Sequence, residues 1–90
     1  MNKTTRKRLA EINVKLEIIS SGLRSLVDDL EGCRDDEREK YDNLSEGLQQ
    51  SERGYGIERS ADELDNACSE LDSILQSLEI AIEYLNNASE

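Results

Sequence analysis

Residues 57–85 read IERSADELDNACSELDSILQSLEIAIEYL. Within this stretch Ile57, Ala61, Leu64, Cys68, Leu71, Leu75, Leu78, Ile82 and Leu85 recur at alternating spacings of four and three. That alternation holds one apolar seam along a helix that packs against another helix at a shallow angle. The chain contains no Pro to interrupt it. A helix with such a stripe needs a second apolar surface to cover it.

Upstream, Leu9, Ile12, Leu16, Ile19, Leu23, Leu26, Leu30 and Cys33 repeat the same alternation. The expected fold is therefore all-α: one domain over 1–90, folded as a long antiparallel helical hairpin that is coiled-coil-like. Helix 1 is expected over about 5–42, with a hydroxyl of Thr4 or Thr5 as its N-cap and Asp42-Asn43 as turn residues. A loop or short turn covers 43–56. Helix 2 follows over about 57–87, bounded upstream by Gly54-Tyr55-Gly56. Ser20-Ser21-Gly22 is the weak point of helix 1. The heptad passes it from Ile19 to Leu23 without a slip, so a continuous helix is expected at a local cost near ~1 kcal/mol for Gly22.

Helix 2 carries a second apolar line, Ala67, Ile74, Ala81 and Ala88, at seven-residue intervals, and helix 1 adds Ile18 and Val27 off its seam. This broadens the apolar face beyond a two-stranded seam. Small scaffolds with thin cores commonly associate. A homodimer forming a four-helix bundle is the expectation.

Composition removes most chemistry. The 90 residues hold 11 Lys+Arg against 21 Asp+Glu, a net charge of −10, and no His. Without His the usual general base, the common metal ligand and every Ser-His or Cys-His pair are missing. The chain is not expected to be an enzyme, with no catalytic residues, cofactor or metal. Asp28-Asp29, Glu31 and Asp35-Asp36-Glu37-Glu39 do not fit a calcium loop, and interspersed Arg34, Arg38 and Lys40 read as a solvated, self-paired face. Acidity argues against direct nucleic-acid binding, and no apolar run approaches a membrane span.

Charge is also uneven. Residues 1–15 hold five basic side chains and one acidic, whereas residues 54–90 hold Arg59 against nine acidic ones. In an antiparallel hairpin the basic start lies beside the acidic end, near Glu79, Glu83 and Glu90, and such pairs favour this orientation. Cys33 and Cys68 both fall on seam positions and are expected as buried, slow-reacting, reduced thiols. A pivot near residues 47–48 would put Cys33 opposite residue 62, about 9 Å along the axis from Cys68 at 1.5 Å per residue and beyond the ~7 Å reach of a disulfide.

The non-repetitive segment supplies two readings of Tyr41, Leu44 and Leu48. They plug the open end of the hairpin against Ile57, or they form, with Arg53 and Tyr55, a partner-binding patch at the loop.

The block Arg34-Asp35-Asp36-Glu37-Arg38-Glu39-Lys40-Tyr41-Asp42-Asn43-Leu44-Ser45-Glu46-Gly47-Leu48-Gln49-Gln50-Ser51-Glu52-Arg53-Gly54 resembles a segment of small acidic proteins encoded by bacteriophages and integrative elements of gut bacteria. This chain departs from their pattern at Ser45 and Tyr55. The resemblance implies a mobile-element origin and a cytoplasmic site in a bacterial host cell, and no activity.

The expected function is a non-catalytic protein–protein interaction module, an inhibitor of a host defence protein, whose partner is a host protein. The alternative is an acidic nucleic-acid mimic that occupies the basic groove of a host nuclease, using Glu58, Asp62, Asp65, Asp72, Glu79 and Glu83 on helix 2. A purely structural coiled-coil protein is a third possibility.

Overall fold

Asn2, not Thr4 or Thr5, starts the first helix: its Oδ1 accepts the Thr5 amide at 2.8 Å. The computed structural model describes all ninety residues, as α1 Lys3–Asp42, α2 Glu46–Gln49 and α3 Glu52–Ala88. α1 runs unbroken through Ser20-Ser21-Gly22 and ends at Asp42, with Asn43 as its C-cap. α1 and α3 lie antiparallel in a rod 68 × 14 × 14 Å.

α3 begins five residues before Ile57. Ser51 Oγ accepts the Gly54 amide, and Glu52 puts a negative charge in the first turn, both favourable at a helix start. Gly54-Tyr55-Gly56 is thus helical rather than loop. Gly54 serves close packing: a Cβ there would sit 2.6 Å from the Gln49 carbonyl carbon and closer still to the carbonyl oxygens of Leu48 and Gln49. α2, capped by Ser45, is tied back to α1 by Gln49 Nε2, which donates to the Tyr41 carbonyl at 3.0 Å.

The seam of α3 follows the expected phase: Ala61, Cys68, Leu75 and Ile82 are buried, with Ile57, Leu64, Leu71, Leu78 and Leu85 half-buried between them. α1 does not follow its expected phase. Its inward residues are Leu9, Asn13, Leu16, Ser20, Leu23, Val27 and Leu30, continuing through Arg34, Glu37 and Tyr41. Val27, expected off the seam, is 5% exposed, whereas Ile19 is 56% and Leu26 62% exposed. The helix is rotated by one residue at every second seam position. Ile12, Ile19, Leu26 and Cys33 therefore lie outside the hairpin core. No side chain in the molecule is completely enclosed, as two helices alone can surround only a narrow line of atoms.

Asn13 bonded to Asn86, Arg24 to Glu79 and Arg34 to Asp65 set the register. Interpolation puts Cys33 level with residues 66–70, the turn that carries Cys68, rather than opposite residue 62. The pivot lies later because α2 and the early start of α3 carry the turn toward residue 50. Both thiols are free, Cys68 buried and Cys33 exposed. Cys33 is kept from Cys68 by facing, since it points off the seam.

Candidate functional site

An antiparallel helix pair has two long flanks, one on each side of its seam. Residues that follow the seam Leu or Glu in each helix make the first: Arg24 pairs with Glu79, and Arg38 Nη2 lies 3.5 Å from Asp65 Oδ2. Arg34, itself in the seam, donates from Nη1 to Asp65 Oδ1 at 2.9 Å and from Nε to Asp35 at 3.1 Å. Those two hydrogen bonds, Asp65 foremost, raise the Arg34 pKa above its ordinary value. This flank is polar and paired.

The second flank is made by the residues that precede the buried positions. On α1 these are Ile12, Ile19, Leu26 and Cys33, and on α3 they are Ala67, Ile74, Ala81 and Ala88. Seven of the eight are exposed, Ile74 among them, and only Ala67 is half-buried. Near the loop the two helices line a common open groove here, with Cys33 and Lys40 on one wall and Ser60 and Leu64 on the other. The second apolar line read on α3 and the misplaced seam residues of α1 thus form one continuous face. The α3 part of this face is the second apolar line that the sequence shows beyond the seam, whereas the α1 part is what the sequence spacing assigns to the hairpin core.

At the loop end the five candidate contact residues divide. Tyr41 and Leu44 are half-buried and close the seam, whereas Leu48, Arg53 and Tyr55 are exposed, Tyr55 at 55%. Tyr41 is held by burial and by a hydrogen bond with Glu58, and both push its phenol above the ordinary value. Tyr55 is close enough to add to that shift. The two tyrosines share one end of the rod.

The acidic residues of α3 do not form a bare row. Asp65 and Glu79 are taken by arginines of α1, Glu58 by Tyr41, and Asp72 accepts from Gln76 Nε2 at 3.2 Å. Asp62 and Glu83 are exposed without an ion-pair partner. The expected ion pairs between the basic start of α1 and the acidic end of α3 are not formed. Glu79 meets Arg24 instead, and Lys3, Arg6, Lys7, Arg8 and Lys15 have no partner within the chain. The reason is facing: Arg8 and Lys15 lie on the side of the apolar flank, away from the first.

No group of three or more Cys, Asp or Glu side chains is placed to hold a metal ion, and no helix is long and apolar enough to cross a membrane. Comparison with protein-family models, curated proteins and solved structures gives no match.

Proposed function

We propose that this chain is a non-catalytic protein–protein interaction module, a homodimer of two hairpins in a four-helix bundle, that binds and inhibits a protein of a bacterial host. One observation carries the reading. The hairpin places Asn13, Ser20 and Arg34 in its own seam while Ile19 and Leu26 face outward. Exposed apolar surface of this extent on a folded chain marks an interaction site. The mobile-element origin rests on the resemblance of residues 34–54.

Target contact is assigned to the loop end, where Tyr55, Leu48 and Arg53 are all exposed, since aromatic and Arg anchors concentrate binding energy. A pulldown from host lysate with the tagged chain tests it. Capture that is lost in Tyr55→Ala, with helicity and melting temperature unchanged, supports the patch; full capture by that variant rejects it. Acid mimicry is the weaker reading, because four of its six residues are already engaged within the chain. Capture that falls steeply with added salt would favour it instead.

A further inference from the structure

Beside the apolar line of α1 runs a second line, also seven residues apart: Arg8, Lys15, Gly22, Asp29 and Asp36. Together with Ile12, Ile19, Leu26 and Cys33 it makes a complete second seam on α1, with spacings of four and three. Its charges read two positive, a glycine, two negative. All five residues are exposed, none of the four charged ones has an ion-pair partner within the chain, and the space in front of Gly22 is open. A sequence of charges that changes sign about its own centre is complementary to itself run backwards.

We infer that this flank is the homodimer interface, with α1 packed antiparallel on α1 of a second copy about a twofold axis at Gly22. The inference rests on the homodimer reading above and adds its face and orientation. In this arrangement Arg8 meets Asp36 of the second copy, Lys15 meets Asp29, Ile19 meets Leu26, and Ile12 meets Cys33, each twice. Gly22 meets its own copy, where two backbones approach most closely and a side chain would hold them apart.

The same axis suits α3. The Asn13–Asn86 and Arg24–Glu79 contacts place Gly22 level with residues 77–81, and the apolar line of α3 is centred at Ser77. There Ile74 meets the small Ala81 of the second copy, and Tyr84 meets Glu70. The other twofold stacking, α1 over α3 of the second copy, brings Asp29 toward Glu70 and Asp36 toward Glu63. Like charges facing each other disfavour it.

Area is sufficient. The apolar part from Ile12 to Cys33 is about 32 Å long at 1.5 Å per residue and about 20 Å across two helices. Two copies would cover roughly 1,300 Å², against about 1,200 Å² for the smallest stable specific interfaces.

Charge exchange tests the pairing. One variant, Arg8→Glu with Lys15→Glu, carries an all-acidic line; the other, Asp29→Lys with Asp36→Lys, carries an all-basic one. Sedimentation of each alone should show dimerisation weakened about tenfold or more, from several lost pairs and new repulsions. Mixed in equal amounts they should form a heterodimer at least as tight as the wild-type dimer. Separately, Ile19→Lys with Leu26→Lys should give a monomer of about 10.2 kDa with helical circular dichroism retained, because neither side chain belongs to the hairpin core, whereas Ile18→Lys should remain dimeric. A wild type that is monomeric at micromolar concentration overturns both this inference and the homodimer reading. A dimeric wild type whose Ile19/Leu26 variant also dimerises, or whose charge-exchanged pair fails to associate, overturns this face alone and leaves the homodimer standing.

Discussion

Asn13 Nδ2 donates to Asn86 Oδ1 at 2.9 Å, while Asn13 Oδ1 is buried without a partner. Asn13 occupies a seam position between Leu9 and Leu16, where an apolar side chain would pack more favourably. A polar group at such a position sets register at a cost in stability. Asn13→Leu should raise the unfolding free energy by about 1 kcal/mol, because it removes an unsatisfied acceptor and leaves the exposed Asn86 to water. Urea unfolding measures this; a less stable variant would show that the Asn pair contributes more than its buried oxygen costs.

Two glycines of one helix should respond in opposite directions. Gly54→Ala drives a Cβ into the Leu48 and Gln49 carbonyls, so α2 must shift, and overpacking of this kind costs about 1–3 kcal/mol. Gly56→Ala meets nothing within 4 Å and should stabilise α3 by roughly 0.5–1 kcal/mol through helix propensity. Melting temperatures of the two variants should fall on opposite sides of wild type.

Tyr41 gives the hairpin an alkaline limit. Burial and the Glu58 hydrogen bond raise its phenol above the ordinary value. Above about pH 10 the unfolded chain releases this proton while the folded chain retains it, so stability falls as pH rises toward the folded pKa. Tyr41→Phe should remove that part of the pH dependence. The test is the difference in unfolding free energy between wild type and variant at neutral and alkaline pH, and a difference that does not change with pH would contradict it.

The thiols should react at two rates. In dilute native protein Cys33, exposed beside the seam, should label quickly; Cys68, 4% exposed, should label only as the hairpin opens. Raising the protein concentration should slow Cys33, as it comes to face Ile12 of a second copy. Mass spectrometry of singly and doubly labelled chains separates the two sites, and equal rates would contradict the placement of Cys68 in the core.

The all-α class, the long continuous α1 and the seam of α3 were all determined by the sequence alone, because each rests on local spacing. On α3 the competing stripe, completed by Ser60, Ala67, Ile74, Ala81 and Ala88, is broken at Ser60 and carries mostly small side chains, so the stripe through Ala61, Cys68, Leu75 and Ile82 is the more apolar one and its phase could be read. α1 is different. Leu9, Leu16, Leu23 and Leu30 are shared by two stripes, one completed by Ile12, Ile19, Leu26 and Cys33, the other by Asn13, Ser20, Val27 and Arg34. Hydrophobicity selects the first. The folded hairpin uses the second, which lets Arg24, Arg34 and Arg38 reach Glu79 and Asp65. The loop-end exposure of Tyr55 was legible from its place outside both stripes, though the helical state of Gly54 was not, since it depends on Ser51 as a cap and on contact with α2. Which stripe of α1 faces inward is a tertiary choice: spacing states that a helix has an apolar side, and only the partner helix and its register decide which of two overlapping sides it covers.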